Sequence, residues 1–242
     1  MRLTRSHIDA PLSEGASLAL PESVAAHLTR VLRLPVGARF VLFNGDGFDY
    51  EAEIVSLSKK GAEARVSARR PVTNESPLRI TLAQAVARGE KMDWILQKAT
   101  ELGAAGFIPI ITERTEVKLD AERGDKRLSH WRGVIASACE QSGRATLPSI
   151  EPPTPLASFL GRENNGHVVY FDPDAEQSLR DLPSDGTHFT FVIGPEGGLG
   201  ERDLSQLRAA TALGVKLGSR VLRTETAGLA ALAAIQSLRG DL

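Results

Sequence analysis

Two glycine-bearing turns hold most of the residues in this chain that could do chemistry. Residues 189–200 read FTFVIGPEGGLG, a run of β-formers that ends abruptly in Gly194, Pro195, Glu196, Gly197 and Gly198. Glycines at the end of a buried strand let backbone N–H and C=O groups approach a flat ligand with no side chain in the way. The same composition also serves a plain strand-to-helix turn. Residues 217–227 read LGSRVLRTETA: a bend at Gly218, then Arg220 and Arg223 around an apolar Val-Leu pair, then Thr224, Glu225 and Thr226. Threonines there suit helix capping, and the arginines can be ordinary surface charges or ligand contacts beside the loop.

Several other chemistries are excluded. The spacing of the first turn does not fit the G-x-G-x-x-G of dinucleotide folds, and Gly161-x-x-x-x-Gly166 is followed by His167 where a phosphate loop needs lysine. No G-x-S-x-G elbow occurs. His7, His27, His130, His167 and His188 show no ligand spacing, and Cys139 is the single cysteine, so no metal is expected and the redox setting reads as reducing.

The elements that must position these turns fall into two sets. Up to a polar, proline-bounded segment at 71–77 (PVTNESP), strand-like runs at 39–44, 50–57 and 62–68 dominate, with one helical stretch at 22–34. Gly45-Asp46-Gly47 marks a turn between the first two strands. This predicts a small β-barrel. Beyond the segment, strand and helix alternate: strands at 80–87, 106–111, 168–171 and 187–193, helices at 90–102, 122–141, 201–212 and 226–238. Met92, Ile95, Leu96, Ala99 and Leu102 give the first of these helices one apolar face. The alternation predicts an α/β domain with an open parallel sheet and helices on both faces, and in such sheets ligands bind beyond the carboxyl ends of the strands. The last helix is apolar nearly all round, which predicts burial between its own sheet and a partner subunit.

Composition adds an ordinary globular balance, 42% hydrophobic and 24% charged, with a net charge of -1. Residues 1–75 carry ten Lys/Arg and nine Asp/Glu, so any nucleic-acid contact must come from local basic patches. The start of the chain lacks the apolar run of a signal peptide, and no stretch reaches the roughly 20 residues of a spanning helix. A cytoplasmic protein without membrane partners is expected.

Further motifs, in order along the chain, resemble the RsmE family of 16S ribosomal RNA uracil-N3 methyltransferases. His27-Leu28, Val31-Leu32-Arg33 and Gly37 are similar to the family's small-domain pattern. Lys91 to Trp94, Lys98, Glu101, Leu102 and Gly103 follow the first helix of its large domain, and Glu140-Gln141-Ser142-Gly143-Arg144 with Pro148 match its next signature. Gly194–Gly198 and 222–227 complete two cofactor loops. One departure is visible: Leu199 stands where an aromatic residue is common, followed by Gly200 in place of a serine-like cap.

The resemblance implies a PUA-like RNA-binding barrel over residues 1–72 and, over 77–242, a SPOUT methyltransferase domain whose parallel sheet carries a trefoil knot. It implies S-adenosyl-L-methionine as cofactor, held by Phe171, by Gly194, Pro195, Glu196, Gly197 and Gly198, and by Leu217, Gly218, Arg220, Leu222, Thr224 and Thr226. It implies a homodimer acting on a uridine in the decoding region of 16S ribosomal RNA or the small subunit. Arg223 becomes the candidate to stabilise charge on the base, with Glu225 or Glu196 as the candidate proton acceptor. Arg2, Arg30, Arg33 and Arg144 become the candidates for RNA contact. Two other readings stand beside this one: a methyltransferase for another RNA such as transfer RNA, and a non-catalytic RNA-binding assembly factor.

Overall fold

The structure, a computed structural model, describes residues 3–58, 61–116, 121–163 and 166–242, with residues 121–123 described by backbone alone. The chain packs into two compact units. Met1–Glu75 and Ala136–Leu147 make the first, Ser76–Ile135 and Pro148–Leu242 the second.

The first unit is a five-stranded sheet in the order β1-β3-β4-β5-β2, with β1 Arg5–His7, β2 Ser17–Ala19, β3 Arg39–Phe43, β4 Phe48–Ser58 and β5 Gly61–Pro71. Long β4 and β5 pair antiparallel over 11 residues each, with bulges near Glu51/Ala52 and Ile54/Ser56. Strict alternation drives β5: Ala62, Ala64 and Val66 are buried while Glu63, Arg65 and Ser67 face solvent. Phe40, Leu42, Ile54 and Leu28 close one core beneath it. Three-residue β1 and β2 lie at the two ends of the sheet and do not pair with each other, so the expected barrel is open by hydrogen bonding.

The helix expected at 22–34 stays α-helical only over α1, Glu22–Ala26. At His27–Val31 it widens into a π-helical turn, with Leu32 N–H donating to the His27 carbonyl at 3.0 Å, and Arg33 ends it at φ 56°. Pro35 disfavours helix at the residue before it, and buried Leu28 anchors the turn while Val31 and Leu32 are left outside.

Residues 136–147 join this unit because Arg5 holds them. Its buried guanidinium donates to the Cys139 carbonyl (2.7 Å), the Arg144 carbonyl (3.1 Å) and the Asp49 carboxylate (2.5 Å). The His7 N–H donates to Glu140 and the Gly47 N–H to the Ala145 carbonyl. Burial pushes the Cys139 thiol up to about 11, which leaves it an inert core group at neutral pH.

In the second unit every strand pairing among the described residues is parallel. The strands are β6 Arg79–Ala85, β7 Gly106–Ile111, β8 Ser149–Ile150, β9 Thr154–Pro155, β10 His167–Phe171, β11 Gln177–Ser178, β12 His188–Ile193 and β13 Leu213–Lys216. Their order is β11-β13-β10-β12-β6-β7-β8, with β9 also on β7. Helices α2 Lys91–Glu101, α4 Leu156–Leu160, α5 Glu201–Ala209 and α6 Thr224–Arg239 complete it, with α3 Ala121–Ser142 belonging to it as far as Ile135.

Helices cover both faces. Leu156 and Phe159 of α4 and Leu207 of α5 pack with Ala83, Ala85, Ile108, Ile110 and Val192 on one side. On the other, α6 lies against β6 and β12 and packs along α2. Gly228 permits this approach, since a Cβ there would press on Ile193 and Leu82. After β13 the chain thus returns past β10 to the middle of the sheet, the crossing on which the expected knotted arrangement depends.

Candidate cofactor cleft and charged rim

A cleft opens at the carboxyl ends of β10, β12 and β13, all within the second unit. Phe171, Asp172 and Pro173 form one wall. Ile193, Gly194, Pro195, Gly198 and Leu199 form the next, and Leu217, Gly218, Arg220, Val221, Leu222 and Thr224 the third. Its cavity volume is about 250 Å³, and its lining is mostly apolar or glycine. Asp172 and Arg220 are its charged lining residues.

The second and third walls need their glycines. Gly198 and Gly218 sit at φ +71° and +79°, where an L side chain is strained, and a Cβ on Gly194 would meet the Leu199 nitrogen. Thr224 ties two walls together. Its hydroxyl donates to the Gly194 carbonyl at 2.6 Å and accepts from Gln84 Nε2 at 2.9 Å. The first turn of α6 is therefore fastened to the loop after β12.

Gly200 begins α5 without a side-chain cap, and the structure shows what replaces it. A Cβ at this position would overlap the Glu113 carboxylate, which accepts the Arg202 N–H at 3.1 Å and so caps the helix from the loop after β7. Buried Asp203 accepts the Gly200 N–H (2.9 Å) and the Glu113 N–H (3.1 Å), while Arg114 donates to the Gly197 carbonyl at 2.8 Å.

Of the sequence-expected cofactor residues, Phe171, Gly194, Pro195, Gly198, Leu217, Gly218, Arg220, Leu222 and Thr224 line the cleft. Glu196, Gly197 and Thr226 do not. Glu196 turns away to accept from the Arg88 N–H and from Lys91 Nζ, each at 3.1 Å. Partial burial would raise its carboxyl, but hydrogen bonds from its own and the Arg88 backbone and from Lys91 outweigh this and hold it below its ordinary value. Gly197 faces the Arg114 side chain, and Thr226 is exposed on α6. Asp172, Ile193 and Leu199 were missed although each adjoins a named residue at a strand end, and Pro173 lies two positions beyond Phe171. Leu204, one turn into α5, carried no sequence signal.

Arg223 stands at the N-cap of α6 with its side chain 83% exposed, Nη1 lying 3.9 Å from Glu225 Oε1. The Glu225 side chain is 19% exposed. Arg30 and Arg33 are exposed on the first unit, beside the π turn. Arg144 differs: it is buried and paired to Glu75 through Nε (3.0 Å) and Nη2 (2.5 Å), so a phosphate contact would first have to break that fork. Arg2 lies outside the described residues. Among the described residues no His/Cys/Asp/Glu cluster suits a metal, and no helix is long and apolar enough to cross a membrane.

Residues 74–236 match the model of the RNA methyltransferase domain, and residues 20–67 match the RNA methyltransferase PUA domain. The chain is 32% identical to ribosomal RNA small subunit methyltransferase E of Bacillus subtilis, over 100% of this chain and 98% of the relative. A crystal structure of the Neisseria gonorrhoeae ribosomal RNA small subunit methyltransferase E, bound to S-adenosyl methionine, superposes with a TM-score of 0.92 at 37% identity over 100% of both chains. A Legionella pneumophila protein solved in complex with the cofactor SAM superposes at 0.95, also 37% identical over 100% of both. The chain belongs to the RsmE family of ribosomal RNA small subunit methyltransferases.

Proposed function

We propose that this protein transfers a methyl group from S-adenosyl-L-methionine to N3 of a uridine in the decoding region of 16S ribosomal RNA, as a cytoplasmic homodimer. The observation that carries this reading is the cleft itself, three loops at the carboxyl ends of adjacent parallel strands, two of them glycine-bearing and fastened to each other by the Thr224 bond to Gly194. Its apolar walls at Phe171, Ile193, Leu199 and Leu222 suit a flat purine, and the glycines leave backbone groups free to bond it. The cofactor supplies an electrophilic methyl group on a sulfonium, so no metal is required.

The chain's part is to align the base and manage one proton. Neutral uracil has no usable lone pair at N3. As its proton leaves, negative charge spreads onto the flanking carbonyl oxygens, where the exposed Arg223 guanidinium would stabilise it. Glu225, two residues on, would accept the proton. Arg30 and Arg33 would meet RNA phosphates from the first unit; Arg144, committed to Glu75, is left out of that set.

The dimer rests on α2 and α6. Leu232 turns inward and is fully buried, so it belongs to the protomer's own core. The outward side of α6 carries partly exposed Ala230, Ala233 and Ala234 with Leu238 at 45% exposure, and neighbouring α2 carries Trp94 at 47%. An apolar strip of this kind suits a second copy of the chain. Ala234→Glu should give monomers by light scattering, and a monomeric parent protein would sink the dimer.

The reading is tested by incubating the protein with S-adenosyl-L-methionine and unmodified small-subunit particles, then digesting the RNA to nucleosides. 3-Methyluridine is expected. A methyl group at another position of the base, or none, would count against it.

A further inference from the structure

Lys91, the first residue of α2, joins two carboxylates carried by the two segments that the Thr224–Gly194 bond fastens together. Its Nζ lies 3.1 Å from Glu196 Oε1, on the loop after β12, and 3.6 Å from Glu225 Oε2, in the first turn of α6. The Glu225 oxygen is shut off from solvent and accepts no hydrogen bond among the described residues. A dry carboxylate oxygen without a donor is costly, and here the ammonium charge is what offsets it. The other charged groups around this carboxylate are Arg223 at 3.9 Å on its own segment and Glu196, which shares the lysine. Arg88 is engaged elsewhere, its side chain on Glu116 and its N–H on Glu196.

We infer that Lys91 is the positioning residue of the methyl transfer: it grips Glu225 Oε2 so that Oε1 is presented toward Arg223 and the incoming base. This rests on the reading of Glu225 as proton acceptor. In that step the N3–H bond breaks and its proton passes to Glu225 Oε1. The electron pair left on N3 forms the bond to the methyl carbon as the carbon–sulfur pair returns to sulfur. Lys91 touches none of the reacting atoms. It fixes which carboxylate oxygen is free, and through Glu196 it fastens the loop after β12 to the same point.

The test is a double-mutant cycle on single-turnover methylation of small-subunit particles, with cofactor affinity measured by calorimetry and folding by thermal melts. Lys91→Met should slow the step by about tenfold or more while changing cofactor affinity by less than about twofold, and Lys91→Arg should restore most of the rate. In a Glu225→Gln background Lys91→Met should add nothing, because the group it acts through is already disabled. Full activity in Lys91→Met, or an equal slowing in the Glu225→Gln background, would overturn the assignment. So would an effect that vanishes only in a Glu196→Gln background. Should Lys91→Met melt early, Lys91→Gln takes its place in the same cycle. Glu225→Gln alone reports on the underlying reading: full activity there removes Glu225 as the acceptor whatever Lys91 does.

Discussion

The Thr224 hydroxyl donates to the Gly194 carbonyl at 2.6 Å, and this bond joins the start of the last helix to the end of strand β12. Thr224 also accepts from buried Gln84, so its hydroxyl serves as a relay between the sheet and both loops. Thr224→Val keeps the shape and removes the relay, leaving one N–H of the buried Gln84 amide unpaired while the other still serves the Ala85 carbonyl. The expected cost is about 1–3 kcal/mol of stability, with weaker cofactor binding as the loops part. Thr224→Ser should behave nearly as the parent. Urea denaturation and calorimetric titration would check both, and an unperturbed valine variant would refute the relay.

Gly200→Ser should destabilise the protein, although serine is ordinarily the better helix cap. The space is already filled by the Glu113 carboxylate, which does the capping. Overpacking of this sort costs about 1–3 kcal/mol. In a Glu113→Ala background the same serine should become neutral or stabilising. The sign change between the two backgrounds, read from denaturation midpoints, is the diagnostic result.

Arg33 holds a positive φ of 56°, a strained position for a side chain. Arg33→Gly should therefore stabilise the fold by about 1 kcal/mol while weakening RNA binding. The loss should shrink as salt rises, because phosphate contacts release counterions. Cofactor affinity should not change. Filter binding across a salt series beside thermal melts separates the effects, and unaltered RNA affinity would remove Arg33 from the interface.

Acid should loosen the protein before its carboxylates titrate. Burial lowers the pKa of His7, against the pull of Asp9 and Glu140, and burial with the Arg79 charge lowers that of His188. Both imidazoles bind protons less readily folded than unfolded, where the ordinary value is 6.5. Stability is therefore full above that value and declines as pH falls below it. The melting temperature should drop between about pH 7 and pH 5.5, and His7→Asn should flatten part of the slope. A melting temperature flat over that range would contradict it.

Arg223→Ala should lower the single-turnover rate at saturating RNA and cofactor by about 10²–10³, the usual effect of losing one donor to developing negative charge. The side chain is exposed, so stability should hardly change. Near-normal turnover would make it a docking residue.

Periodicity made the parallel sheet legible, because β7 is a continuous apolar run, β6 and β12 are mostly apolar runs broken by Thr81, Gln84 and Thr190, and α2 has one clear apolar face. The glycine turns were legible for a related reason: strand ends followed by Gly198 and Gly218 demand backbone that only glycine adopts easily. Two-residue strands such as β8 and β9 left no pattern to read. The π turn at His27–Val31 looks like ordinary helix in sequence, since only the packing of Leu28 and the approach of Pro35 reveal it. The grouping of 136–147 with the first unit depends on Arg5, more than 130 residues away, and no local signal encodes a contact at that range. Arg144 carried the same basic side chain as Arg33, and only its fork to Glu75 tells the two apart.

The most direct test of the account is to map RNA from a strain lacking this protein. A methyl group on N3 blocks the pairing edge of uracil, so reverse transcription halts there. One halt in the decoding region of 16S ribosomal RNA should be present in the parent strain and absent from the deletion strain. The intact chain should restore it, and the Thr224→Val and Arg223→Ala variants should restore it poorly. A halt that moves to transfer RNA, or small-subunit RNA unchanged by the deletion, would contradict it.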